Sequence, residues 1–278
     1  MVHIGDFNSL TVTRTSSKGG CYLDGEKREL YLPKGETPKH TRTGDTITVF
    51  VYNESKNQLG VTTQTPKAKV GDFAALEVKT VTSFGAFLDW GIGKDLFVPK
   101  KNWTEELRVG EVAVVYLTLD YEKKGVMGTC NLSPHFSEDT AELQPNQKVN
   151  LLVYEKTGLG FQVVVDNTYK GLVYHDEIFK PISVGQSTTG YVKKVREDGQ
   201  LDIALHPQGF RESTEKARQV IMGALDRSGG FLPLSDKSTP QDIRDQLNIS
   251  KKVFKKTIGV LYKEGTISIT ESGIEKKR

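Results

Sequence analysis

The sequence predicts a mainly β fold, with three small five-stranded barrels in tandem followed by a C-terminal domain of mixed α and β structure. Three observations carry this prediction. First, landmarks recur: Gly5-Asp6-Phe7 returns as Gly71-Asp72-Phe73, and Glu29-Leu30-Tyr31-Leu32-Pro33 returns as Asp95-Leu96-Phe97-Val98-Pro99 and as Lys170-Gly171-Leu172-Val173-Tyr174. Gly44-Asp45, Gly110-Glu111 and Gly185-Gln186 then each introduce a further strand. Second, the copies are too long for solenoid repeats and suit one small barrel each. Third, apolar residues alternate with period two up to residue 210 and with a period near four beyond it. These features place domains at 1–66, 67–136, 146–210 and 211–278.

Within the first copy, residues 7–13 alternate as a strand, and the second strand ends in Asp24-Gly25, a hairpin turn signal. Residues 30–33, 46–52 and 57–63 complete it. The second copy places strands at 73–81, 85–90, 96–98, 112–120 and 126–132, with Trp103 plugging a barrel end. A polar linker at 137–142 reads as a short helix. The third copy has strands at 148–154, 160–165, 171–174, 188–195 and 201–205.

Beyond residue 210, the stretch 214–225 reads as an amphipathic helix that ends at Gly229-Gly230. Ser238-Thr239-Pro240-Gln241-Asp242 offers an N-cap, a proline at the first helical position and an acid in the first turn. That helix stops at Asn248, Ser250 caps another that runs to Lys263, and Gly265 ends it. Residues 266–270 with Gly273-Ile274 make a hairpin. Helix, helix, turn, helix, wing is the order of a winged helix-turn-helix.

Composition narrows the function. The 278 residues carry a net charge of +3, divided as +1 over 1–66, −3 over 67–145, 0 over 146–210 and +5 over 211–278. A basic excess gathered in the last quarter favours a polyanionic partner. No apolar run is long enough to span a bilayer and the start lacks a secretory leader pattern, so the expectation is a cytoplasmic protein without membrane contact. Cys21 and Cys130 lie in separate copies without metal-ligand spacing, which predicts neither disulfide nor zinc. No P-loop, nucleophile elbow or paired histidine motif is present. His175-Asp176-Glu177 reads as the first turn of a helix, because consecutive residues rarely converge on one ion. We therefore expect no catalysis, no cofactor and no small-molecule substrate.

The binding candidates are aromatic and cationic. Phe84-Gly85-Ala86-Phe87-Leu88-Asp89-Trp90-Gly91 carries more aromatic surface than one buried face can use, so at least one ring faces outward. A ring beside a glycine, where another backbone or a flat ligand can approach, suits stacking on an unpaired base. In the first copy Tyr22 holds the corresponding strand, with Gly19 at the place of Phe84, which predicts a weaker stacking surface. Tyr191-Val192-Lys193-Lys194-Val195-Arg196 interleaves cations with a ring, as a backbone-tracking groove does. On the last helix Phe254, Ile258 and Leu261 share an inward stripe, leaving Lys251, Lys252, Lys255, Lys256 and Lys263 around the rest. Four lysines in its first two turns oppose the helix dipole, an arrangement that nearby phosphates would relieve.

With these residues in place, the three repeats resemble the oligonucleotide-binding (OB-fold) barrel called the S1 domain, and Phe84-Gly85-Ala86-Phe87 is similar to its aromatic strand motif. End to end, the chain resembles the conserved virulence factor B family (CvfB/YitL-like), which joins three such barrels to a winged helix. The matching stretches include Lys94-Asp95-Leu96-Phe97-Val98-Pro99, residues 191–199, Gly229-Gly230-Phe231-Leu232-Pro233-Leu234 and Ser250-Lys251-Lys252-Val253-Phe254-Lys255-Lys256. The resemblance implies single-stranded RNA binding, with DNA as a possible ligand, and a regulatory role in bacterial gene expression and virulence. It maps the domain's two stacking aromatics onto Phe84 and Phe87, onto Tyr22 alone in the first copy, and onto Leu159 and Gln162 in the third. The usual third-strand histidine falls on Leu32, Val98 and Tyr174, and the aspartate after the fourth strand on Asn53, Asp120 and Arg196. No copy has the whole set, which implies a shared, discontinuous surface. A DNA-binding transcription regulator and a protein-interaction adaptor are the alternative functions.

Overall fold

Each barrel is built around a long first strand that serves two partners. In the computed structural model β1 (Phe7–Thr15) pairs over its first half with β4 (Thr46–Ser55) and over its second half with β2 (Cys21–Asp24), and the register shifts between Val12 and Arg14. The bulge bends the strand so that one run of residues can line a curved sheet. The same shift recurs between Val78 and Thr80 of β6 (Phe73–Val81) and between Val153 and Glu155 of β11 (Lys148–Lys156). This is the structural counterpart of the sequence repeat. The structure describes residues 1–278 apart from 56, 57, 121–124, 179, 180, 208, 209 and 278, and apart from the side chains of 176 and 210–213. It forms two units, Met1–Leu205 and His206–Arg278.

In the first unit, β3 (Glu29–Leu32) and β5 (Gln58–Thr62) complete a sheet of order β3-β2-β1-β4-β5. The expected beginning of β5 at residue 57 lies outside the described residues. The second copy repeats that order with β7 (Gly85–Leu88), β8 (Leu96–Pro99), β9 (Val112–Asp120) and β10 (Gly125–Thr129) as β8-β7-β6-β9-β10. In both, the two outer strands lie side by side without a backbone ladder between them. The third copy is fully closed. There β12 (Gly160–Val165), β13 (Tyr169–Tyr174), β14 (Ser187–Val195) and β15 (Leu201–Ala204) join β11, with β13 and β15 paired in parallel.

Alternation fills each barrel. Val12, Leu23, Leu32 and Val49 are buried in the first, Leu76, Leu88, Leu96 and Leu117 in the second, and Val153, Val163, Leu201 and Ile203 in the third. A glycine recurs at the start of each second strand for a physical reason. A Cβ on Gly85 would lie 2.5 Å from the Val98 carbonyl oxygen, and one on Gly20 2.7 Å from that of Leu32. At Gly160, φ is +154° and a Cβ would run into the Val173 carbonyl. Gly160→Ala is therefore expected to destabilise the third barrel by about 1–3 kcal/mol. Urea unfolding checks this, and an unchanged midpoint would show that the two strands separate freely.

Neighbouring barrels share side chains. Phe50 of β4 sits in the core of the second barrel, edge-on to Trp90 at 5.4 Å, and the Trp90 indole N–H donates to the Ala68 carbonyl at 2.7 Å. The Asn53 side-chain oxygen accepts the Val126 N–H at 2.8 Å. Between the second and third barrels Phe73 stacks on Phe136 at 4.8 Å, and Asn167 accepts the Phe73 N–H at 2.8 Å. Trp103 is half-buried against the second core, donating to the Val98 carbonyl at 3.1 Å. The linker at 137–142 forms turns rather than the expected helix, with Asp139 accepting the Ala141 N–H. Residues His175–Glu177 form a single 3-10 turn.

The second unit has the expected winged-helix order. Helix α1 (Phe210–Arg227) begins a turn earlier than the sequence suggested, followed by a two-residue strand β16 (Phe231–Leu232), α2 (Pro240–Leu247), α3 (Lys251–Lys263), β17 (Ile267–Ile269) and β18 (Ile274–Lys276). Thr239 and Asp242 form a reciprocal capping box, and the Ser250 hydroxyl accepts the Val253 N–H at 3.3 Å. Phe254, Ile258 and Leu261 face a core with Ile221, Leu225 and Ile243, as their stripe predicted. Among the described residues no helix is long and apolar enough to cross a membrane.

Candidate nucleic-acid interface

The second barrel carries a patch of three rings. β7 begins at Gly85, so Phe84 falls outside the strand's alternation, in a turn tied by Thr82 to the Gly85 carbonyl at 2.8 Å, and is 62% exposed. Ala86 and Leu88 point inward while Phe87 is half-buried on the outer face. Directly across the β7–β8 pairing stands Phe97. Ring centroids are 5.1 Å apart for Phe87 and Phe97, 6.0 Å for Phe84 and Phe97, and 6.5 Å for Phe84 and Phe87. The space beside Gly85 is taken by the Val98 carbonyl and the Phe97 ring, so this glycine admits a neighbouring strand and not a ligand. Its effect on the site is indirect: it lets Phe97 lie close.

The first barrel repeats the ring pair. Tyr22 and Tyr31 occupy the same cross-strand position on β2 and β3, with centroids 5.1 Å apart, and Tyr31 is 44% exposed. The Arg14 guanidinium lies 3.5 Å over the Tyr22 ring, held by Glu29 at 2.7 Å. Arg14, and after it the Thr13 hydroxyl, hold the Glu29 carboxyl below the usual carboxylate range. Gly19 does remove a third ring, as the sequence implied. Tyr31 and a flat cation stand beside Tyr22 all the same.

The third barrel departs from this pattern. Its equivalent pair is Gln162 and Leu172, with the Gln162 amide oxygen accepting from the Tyr154 hydroxyl, and Leu159 exposed nearby. Tyr174 accepts a hydrogen bond from Arg196 at 2.6 Å, and Arg196 also bonds Asp202 at 2.7 Å and Gln200 at 3.1 Å. Asp202 is the largest cause holding the Arg196 guanidinium above its ordinary value. Lys193 bonds Glu177 at 2.8 Å, Lys194 is exposed and Tyr191 is half-buried. Two cations of the expected ribbon thus form ion pairs inside their own barrel. Asp120 ends β9 opposite Gly125, and Asn53 serves the seam between barrels.

In the second unit, Lys252, Lys255 and Lys263 are exposed on α3, while Lys251 and Lys256 are half-buried. Lys255 lies 3.8 Å from Asp236. Burial, then the charge of Lys252, pushes the Lys256 ammonium below its ordinary value. Sequence reasoning did not single out Phe97, Tyr31 and Arg14 as candidate interface residues. The signal was present in the repeat, since Tyr31 and Phe97 stand at the same place in matched strands between two inward-facing residues.

Comparison with known proteins bears on this arrangement. The model of the S1 domain matches residues 4–64 and 70–130, and that of the CvfB-like winged helix domain matches 219–275. The chain thus carries S1 domains and a CvfB-like winged helix domain. Its relatives include the uncharacterized protein YitL of Bacillus subtilis strain 168, 26% identical over 266 residues that cover 93% of this chain and 89% of that one. Conserved virulence factor B of Staphylococcus haemolyticus strain JCSC1435 is 24% identical over 277 residues, 92% and 91% of the two chains. A crystal structure from Streptococcus pneumoniae TIGR4, described as a multidomain protein with nucleic acid binding domains, aligns with 99% of this chain and 98% of that one at 27% identity and a TM-score of 0.48.

Proposed function

We propose that this chain is a non-catalytic, cytoplasmic RNA-binding protein that regulates bacterial gene expression, holding single-stranded RNA by rings on its first two barrels and by ammonium groups on α3. The observation that carries this reading is the repeated cross-strand ring pair, Tyr22 with Tyr31 and Phe87 with Phe97, on the outward face of two successive barrels. Rings so placed offer π-faces to unpaired bases, which a duplex keeps stacked inside. The match to S1 domains supports a nucleic-acid partner, and the name of the staphylococcal relatives, conserved virulence factor B, supports a link to virulence.

The lysines of α3 favour a second reading, a DNA-binding regulator that places this helix in the major groove. Binding to polyuridylate and to duplex DNA, each measured over a series of salt concentrations, separates the two. The expected result is tighter binding of the single strand, and tighter binding of the duplex would reverse the ranking. Under the RNA reading, Lys255→Ala lowers the slope of log affinity against log salt by about one unit or less, while Phe87→Ala leaves the slope unchanged. An adaptor that uses its barrels only for protein contacts would bind its partner equally well after Phe84→Ala.

A further inference from the structure

Gly259 stands in the middle of α3, on its outer half, where neither packing nor backbone geometry asks for a glycine. A Cβ built there meets no atom within 4 Å, and its backbone is helical without a positive φ. Alanine is the strongest helix former and glycine among the weakest, so the fold alone would be better served by almost any other residue. What surrounds the gap is mostly cationic, with the Asp236 carboxylate 3.8 Å from one of the ammonium groups. Its neighbours three and four positions away on the helix surface are Lys255, Lys256, Tyr262 and Lys263, and the Tyr262 ring is 53% exposed. Lys252 extends the same face one turn toward the N-terminus.

We propose that Gly259 is the crossing point of an RNA sugar-phosphate backbone on α3, a place where the missing side chain lets the strand approach the helix more closely than a methyl group would permit. The flanking ammonium groups supply charge to the phosphates on either side of the crossing, and the Tyr262 ring offers a flat face to a ribose or base at the helix's last turn. The inference rests on the RNA-binding reading of α3 given above and adds to it the point of closest contact.

The test uses the full chain carrying Gly259→Ala or Gly259→Leu, with polyuridylate as the probe. Both replacements favour the helix, so amide exchange in α3 should slow, by about fivefold for alanine. Binding should nevertheless weaken stepwise, by about threefold for alanine and about tenfold or more for leucine, with the salt slope of the wild-type chain because no charge is lost. Affinity unchanged in both variants would overturn the inference. If Lys252→Ala and Lys255→Ala still weaken binding in that case, only the crossing point falls. If those variants also bind as the wild type does, the reading of α3 as an RNA-binding helix falls with it.

Discussion

Trp90→Ala is expected to cost the second barrel about 3–5 kcal/mol, the range for emptying an aromatic site in a packed core. Trp90 is 1% exposed and is among the largest fully buried side chains. Its removal leaves a cavity against Phe50, a residue of the preceding barrel, and strips the Ala68 carbonyl of its 2.7 Å donor. The damage therefore crosses the seam, and the first barrel should lose protection together with the second. Trp103 becomes the only tryptophan and lies against the same core, so its fluorescence reports the unfolding of that barrel. A loss below about 1 kcal/mol would mean that the neighbours collapse into the space, contrary to a tightly shared core.

Loss of ring surface should be the largest effect on binding. Base stacking contributes about 1–3 kcal/mol per base, so Phe87→Ala and Phe97→Ala should each raise the Kd for single-stranded RNA by about fivefold to a hundredfold. The double variant should lose less than the two single losses combined, because the rings are 5.1 Å apart and share one platform. Fluorescence anisotropy with labelled polyuridylate measures all three. Phe97 is the sharper probe, since its role follows from strand register alone. If Phe97→Ala bound as tightly as the wild type while Phe87→Ala did not, the pair would not act as one surface.

Much of the architecture was legible because each strand's period and each turn's glycine repeat within the chain. Gly85 and Gly160 show why: the close approach of a facing carbonyl demands the same residue in each barrel, and so leaves a mark in the sequence. The ion pairs within the third barrel left no such mark. That Arg196 spends its guanidinium on Asp202 and Tyr174, or that Lys193 bonds Glu177, depends on which residues the sheet sets opposite each other. The sequence offered these side chains as free cations, and the fold gives them intramolecular partners. The linker at 137–142 misled for another reason. Its polar composition suits a helix as well as a turn, and turns bonded by Ser137 and Asp139 side chains occupy it.

The two outer strands that meet without a ladder in the first and second barrels include β3 and β8, the strands that bear Tyr31 and Phe97. Among the described residues those strands share no backbone ladder across the joint, which in the second barrel is bridged just beyond them by the Cys130 N–H on the Asn102 carbonyl at 2.9 Å, whereas the third barrel pairs Gly171 with Leu201 and Val173 with Ile203. A continuous backbone ladder thus closes the third barrel, and the first two are closed at this joint by packed side chains.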